Sequence, residues 1–305
     1  MAAGVPSVRP APGWRLEPVH PCWPPLWREI PDPPVTLEGR GRVACLIRPA
    51  LAIVGTRLAT PRGLAVARRL AGELATVGWV IVSGLARGID AAAHEGALAA
   101  GGETVAFVAH GLDRTYPPQH ARLRARIEAQ GCVATELPRG ARPEPGHFPL
   151  RNRLVAGMVR GVVVVEAPLK SGAMITARLS LEYNREVMAV PGPVEARQSR
   201  GCHELIRQGA VLVTSTADVL DLLLPPGPPL GEPVPGAEPG AAVPGGGAVS
   251  WLWERIDLDG IPLAELQARW RGASGVLSEA LLTLELARLI RRLPGGRVAR
   301  RVWAA

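Results

Sequence analysis

Lysine is almost absent from this sequence: Lys170 is the only one in 305 residues, so nearly all positive charge is arginine. Cysteine is sparse too. Cys22, Cys45, Cys132 and Cys202 lie far apart without a CxxC pair. That spacing suits neither a disulfide framework nor a zinc site, and predicts a reducing, cytoplasmic setting. No apolar run approaches the ~18 residues of a membrane helix, and the N-terminus lacks a basic start followed by an apolar core. Neither a membrane span nor secretion is expected. HExxH, GxSxG and clustered metal ligands are also missing, so no catalytic set, cofactor or metal is predicted.

What is present is an excess of arginine. Lysine and arginine together number 35 against 27 acids, a net charge of +8 with a pI near 10.4. Such a balance points to a polyanionic partner. Arginine suits bidentate phosphate contacts, but codon bias accounts for the skew equally well. A phosphate site therefore has to be argued from position. Hydrophobic residues make up 47% of the chain, enough for a sizeable core, and the length predicts one large domain with a small one.

The stretch Leu51–Asp90 organises the large domain. Leu51–Val54 is an apolar run ending in Gly55-Thr56-Arg57. Val66, Leu70, Leu74 and Val77 recur at near-helical spacing, and Trp79–Val82 is a second run ending in Ser83-Gly84. Two buried parallel strands joined by a helix give this pattern. Similar runs follow at Thr104–Val108, Cys132–Thr135, Val162–Val165, Val187–Val190 and Val211–Val213, with helical segments between them. The expected fold is α/β, a doubly wound Rossmann-like parallel sheet over 43–224. Residues 1–42, rich in Pro and carrying Trp14, Trp23 and Trp27, are expected as an arm packed on that domain.

In an open parallel sheet the carboxyl ends of the strands face one crevice, where ligands bind. Gly55, Thr56 and Arg57 follow the first strand; Ser83, Gly84, Arg87 and Gly88 follow the second. Backbone N–H groups and arginines at such an edge make an anion site. Phe148, Arg151, Asn152 and Arg153 form a further cluster, in which the aromatic ring can stack a base while the arginines hold phosphates. The same residues also read as a basic helix start with Phe148 in the core. Lys170, Ser171 and Gly172 open another turn, where Ser171 can simply cap a helix. Asp90 can cap the helix after Gly88 or serve the site; His94 reads as a packed histidine. Glu166 ends its strand like a base, yet no nucleophile or second carboxylate is spaced to work with it.

Residues 225–248, dominated by Pro, Gly and Ala, read as a linker. In 249–305, helices are expected at Val249–Ile256, Pro262–Trp270 and Val276–Ile290. A hairpin turning at Pro294-Gly295-Gly296 follows, and together these predict a small winged helix. Six arginines and no acid lie between Ala287 and Ala305.

Seven motifs in order resemble the DNA-processing protein A family (DprA, also called Smf). They are AIVGTR at 52–57, SGLARGIDAAAHEGAL at 83–98, GLDRTYP at 111–117, FPLRNRLVAG at 148–157, VVVEAPLKSGAMITA at 163–177, REVMAVPG at 185–192 and RGCHELIRQGA at 200–210. HPCWPPLWREIPDPP at 20–34 and LLTLELARLIRRLPGG at 281–296 resemble flanking family segments. Departures from the pattern are Ala109-His110, His120 and His203, and with about 42 residues before the sheet the N-terminal helical domain of many members is not expected. The resemblance implies a homodimer that binds single-stranded DNA without chemistry during natural transformation and loads RecA recombinase onto it. It also implies DNA binding by the fourteen residues from Gly55 to Gly172 picked out above.

Two other classes fit less well. A nucleotide phosphoribohydrolase of Rossmann type would carry PGGxGTxxE, where this chain has only Pro191-Gly192-Pro193, and a dehydrogenase would carry GxGxxG where this chain reads GTRLATPRG. A regulator reading duplex DNA through the winged helix is the second alternative.

Overall fold

The computed structural model describes residues 13–223, 247–257, 261–286, 289–293 and 297–300. The chain divides into two compact units, Met1–Leu230 and Gly231–Ala305. All but the last two residues of the expected linker 225–248, and the turn Pro294-Gly295-Gly296, lie outside the described residues.

The first unit is built on a nine-stranded sheet. Strands β1 (Gly13–Leu16) and β2 (Leu37–Gly41) come from the segment expected as an arm. They pair antiparallel, and β2 pairs antiparallel with β6 (Cys132–Thr135). The segment thus extends the sheet that the sequence reading began at residue 43. The reason is local alternation: Leu16 and Leu37 are buried, while Arg15, Glu38 and Arg40, on the opposite face of the hairpin, are not. Trp23 and Trp27 pack in the core, and the Trp27 indole donates to the Leu154 carbonyl at 3.2 Å.

The apolar runs form parallel strands: β3 (Ala50–Val54), β4 (Val80–Ser83), β5 (Thr104–Phe107), β6, β7 (Gly161–Val164), β8 (Glu186–Ala189) and β9 (Val211–Leu212). Their order is β1-β2-β6-β5-β4-β3-β7-β8-β9. From β3 the chain winds outward through β4, β5 and β6. It then returns to β7 on the other side of β3 and winds outward again. The switch point is therefore the crevice between β3 and β7 at their carboxyl ends, where such sheets bind ligands.

Helices cover both faces. Helices α1 (Pro61–Thr76) and α2 (Ile89–Ala99) lie on one face, where Leu70, Leu74, Ala93 and Ala97 pack on Leu51, Ile53 and Ile81. Helix α3 (Ala121–Gln130) covers β5 and β6 on that face through Leu123 and Ile127. On the other face α4 (His147–Met158), α5 (Gly172–Glu182) and α6 (Arg200–Arg207) pack on Ala52, Val54, Val162 and Val164. Helix α7 (Thr216–Leu222) closes the unit with a Ser215–Asp218 capping box. Each fully buried Leu or Ile contributes about 1.5–3 kcal/mol.

The second unit has helix α8 (Ala248–Arg255), strand β10 (Ile261–Pro262), helices α9 (Leu263–Arg269) and α10 (Ser274–Leu286), and strands β11 (Ile290–Leu293) and β12 (Arg297–Arg300). The strands pair in the order β10-β12-β11. The third helix is described over Ser274–Leu286, and Ile290 belongs to a strand where a helix is expected. No helix among the described residues is long and apolar enough to cross a membrane.

Candidate nucleic-acid interface

The turn after β3 is locked from below. Thr60 caps α1, its hydroxyl accepting from the Gly63 N–H at 3.0 Å, and Pro61 opens the helix. Glu166, at the end of β7, accepts from the Thr60 N–H at 2.9 Å and the Thr60 hydroxyl at 2.6 Å. Its carbonyl also accepts from the Thr56 N–H at 2.6 Å. The carboxylate read at sequence level as a possible base is a latch between the two switch-point loops. Held this way, Arg57 projects into solvent, its guanidinium 4.7 Å from the centre of the Phe148 ring.

The turn after β4 is built differently. The Ser83 hydroxyl is buried and donates to the Ile53 carbonyl at 2.7 Å. Asp90, itself buried, accepts from the Gly84 N–H at 3.1 Å and the Ala86 N–H at 3.4 Å. Leu85 between them takes a left-handed conformation at φ 55°, which costs about 1–2 kcal/mol outside glycine. Gly88 sits at φ 79° with the Thr56 and Arg57 backbone against its α-carbon, so a β-carbon there has neither the conformation nor the space. The turn is thereby pressed onto the loop carrying Arg57, and Arg87 points outward.

Helix α4 supplies the floor. Arg151 is buried; it donates to the Gly84 carbonyl at 2.6 Å and to the Phe107 carbonyl. Burial, and secondarily the Arg57 charge, lowers its pKa to about 10, while Asp90 opposes that shift. It remains a cation at neutral pH. Burial raises the Asp90 carboxyl, and the Arg151 charge counters it. Asn152 accepts from Arg151 Nε at 3.3 Å and donates to the Gly172 carbonyl at 3.2 Å, tying α4 to the start of α5.

Eleven of the fourteen sequence-predicted residues are resolved into one place by this scaffold. A cleft of about 310 Å³ at the β3/β7 switch point is lined by Gly55, Thr56, Arg57, Gly84, Phe148, Arg151, Asn152, Lys170, Ser171 and Gly172 among others. A smaller hollow, sharing Arg57, Gly84 and Phe148 with it, adds Arg87. Ser83 and Gly88 shape the turns without lining either space. Arg153 goes elsewhere: it pairs with Asp32 and Glu136 and donates to the Asp32 carbonyl at 2.8 Å, bracing the N-terminal segment. Arg151 is in the cleft as a buried strut between strand ends. Sequence reasoning left out Tyr116, which lines the smaller hollow with its ring 6.0 Å from that of Phe148. Its only signal was the GLDRTYP motif.

The exposed cations of the cleft are Arg57, Arg87 and Lys170, and none of the three is in an ion pair among the described residues. Unneutralised charge beside a half-buried aromatic pair is chemistry for a phosphate with a flat ring attached. The histidines are structural. His94 is buried, with Nδ1 2.7 Å from the Thr104 hydroxyl and a pKa lowered to about 3, first by burial and then by Arg151. His110 is buried beside the Gly111 carbonyl at 2.9 Å; His120 meets the Leu85 carbonyl at 3.0 Å and His203 the Gly192 carbonyl at 3.0 Å. The histidines at the three departures from the family pattern thus each hydrogen-bond a backbone carbonyl, His110 and His120 from loops and His203 from α6. No group of three His, Cys, Asp or Glu side chains that could hold a metal occurs among the described residues.

Comparison with known proteins identifies the family. Residues 15–224 match the family described as DNA recombination-mediator protein A. The chain is 42% identical over 214 residues to protein Smf of Synechocystis, covering 67% of this chain and 52% of that protein. Against the crystal structure of DNA processing protein A from Streptococcus pneumoniae the TM-score is 0.66 at 42% identity, over 68% of this chain and 73% of that one. A structure addressing the single-stranded DNA binding mode of the Helicobacter pylori protein matches with a TM-score of 0.64 at 33% identity, over 70% and 96% of the two chains. The chain spans about half the length of several curated relatives it matches. By the match over residues 15–224 and its identity to these relatives, the chain belongs to the DNA recombination-mediator protein A family, the DprA and Smf proteins.

Proposed function

We propose that this protein binds single-stranded DNA without chemistry, in the switch-point cleft, and presents it to RecA recombinase as a cytoplasmic homodimer. The observation that carries the binding is the set of three unpaired cations, Arg57, Arg87 and Lys170, around the Phe148 and Tyr116 rings. Backbone N–H groups of the turns and the start of α5 add donors for phosphate. A single strand suits this site because its bases are free to stack, and sequence preference is slight. Arg57 already lies on Phe148, so an incoming base stacks on the guanidinium or displaces it.

With three or four phosphates neutralised per protomer, affinity falls with log salt at a slope of about −2 to −3. A salt titration of oligo-dT binding by fluorescence anisotropy measures it, and a flat titration rejects the reading. The second unit is proposed to be a winged helix: its elements run helix, strand, helix, helix, strand, strand, the order of that fold. The family membership and the H. pylori structure's subject support the DNA assignment; RecA loading and dimerisation rest on the family resemblance.

A further inference from the structure

Beyond the cleft, another hollow of the first unit lies at the opposite end of the strand order from β9. It has a volume of about 430 Å³ and is lined by β1, β2 and the loops after β5 and β6. Arg15 and Arg40 stand on the outward face of the β1–β2 hairpin, in register with Glu38 and Gly13 respectively. Arg139 enters from the loop after β6, and Leu112 from the loop after β5. None of the three arginines is in an ion pair within 4 Å among the described residues, although Glu38 sits directly across from Arg15 and Asp113 lies near Arg139. Three guanidiniums face Glu38 in the hollow and Asp113 beside Arg139, leaving one net positive charge. Surface arginines on an edge strand commonly do no more than discourage edge pairing. Here two further facts count: they line a concavity, and that concavity adjoins the cleft.

The junction is short. His110 lines the hollow that shares Arg57 and Phe148 with the cleft, and Leu112, two residues on, lines the cationic hollow. Two residues span at most about 7 Å. The wall between is stiffened by paired loops: Gly111 N–H donates to the Ala141 carbonyl at 3.0 Å, Gly140 N–H to Asp113 at 2.8 Å, and Arg114 to the Gly140 carbonyl at 3.1 Å. From β3 across β4, β5, β6 and β2 to β1 is five strand spacings, about 24 Å.

We propose that the single strand leaving the cleft runs along this rim past His110 and lays its next phosphates on Arg15, Arg40 and Arg139. The inference rests on the cleft being the primary DNA site, and it makes the binding site longer than the cleft. The occupant is the same polynucleotide, chosen because arginines suit phosphate and the short His110–Leu112 segment brings the two hollows together.

The test is anisotropy on the full chain with oligo-dT of about five and about twenty nucleotides, comparing wild type with the Arg15→Ala, Arg40→Ala, Arg139→Ala triple variant. The expected result is unchanged affinity for the short oligonucleotide and at least about tenfold weaker binding of the long one. The salt slope for the long strand should shrink by about 2, since each lost contact to a single strand removes about 0.7. The corresponding triple lysine variant should recover most of the loss. Equal loss on both lengths, or none on the long one, overturns the proposal. Wild type that binds neither length in a salt-dependent way instead overturns the cleft reading itself. If the triple variant melts early, Arg139→Ala alone, exposed on its loop, should cost severalfold on the long strand only, and no change there is equally fatal.

Discussion

Arg57 and Arg151 share a cleft and a charge, yet their surroundings assign them opposite jobs. Arg57 is exposed and unpaired, so Arg57→Ala should weaken single-strand binding by about 1–3 kcal/mol while leaving the melting temperature within a degree or two. Arg151 is buried against two strand-end carbonyls and Asp90. Removing it strands a buried carboxylate, so Arg151→Ala should cost about 3–5 kcal/mol of stability, visible as a large drop in thermal midpoint before any DNA is added. A residue-scale pH effect follows from His94. Its folded pKa of about 3 lies below the ordinary 6.5, so between those values the unfolded chain binds the extra proton and stability falls as pH falls. From pH 7 to 5 the loss from this group is at most about 2 kcal/mol. His110, lowered by burial, acts with the same sign. The raised Asp90 acts with the opposite one, its contribution fading as pH rises through its folded value. Denaturant titrations of wild type and His94→Asn across this range should therefore diverge, the variant having the shallower dependence.

At the scale of elements, the latch between the β3–α1 and β7–α5 loops decides how firmly Arg57 is presented. Gly63 in the first turn of α1 tests it. Glycine to alanine inside a helix ordinarily gains about 0.8–1 kcal/mol. At Gly63 the new β-carbon would overlap the Glu166 carboxylate, which must then release Thr60. Gly63→Ala should lower stability by about 1–2 kcal/mol despite its better propensity, and should weaken DNA binding although it touches no solvent-facing cation. Melting and anisotropy on one preparation measure both. The sequence shows why such devices escape notice. Strands β3 to β9 are legible because buried parallel strands are continuous apolar runs bounded by turns. Strands β1 and β2, GWRL and LEGRG, are short and interrupted by charge and glycine, so only their pairing with each other and the pairing of β2 with β6 reveals them. Position along the strand ends placed Arg57, Arg87 and Lys170 at the rim. Depth was not legible: Arg151, Asn152 and Arg153 are consecutive, and which of them reaches the cleft depends on how α4 packs beneath it.

For the whole molecule the issue is whether the two compact units divide the work. Residues 225–305 hold nine arginines and eight acids, so seven of the eight net positive charges lie before residue 225. The family match also stops at residue 224. Long-range attraction of a polyanion scales with that uneven distribution, and contact affinity scales with the phosphates neutralised. If the cleft and its rim hold the strand, residues 1–224 alone should bind oligo-dT within about threefold of the full chain, with the same salt slope. A second unit that grips DNA would instead steepen the slope of the full chain by about 0.7 for each added phosphate contact to a single strand, and would raise affinity for a duplex of equal length. Anisotropy with single and double strands on both proteins separates the two outcomes. The charge ledger favours the first, because a unit so nearly neutral has little electrostatic free energy to add unless its basic C-terminal stretch acts apart from its acids.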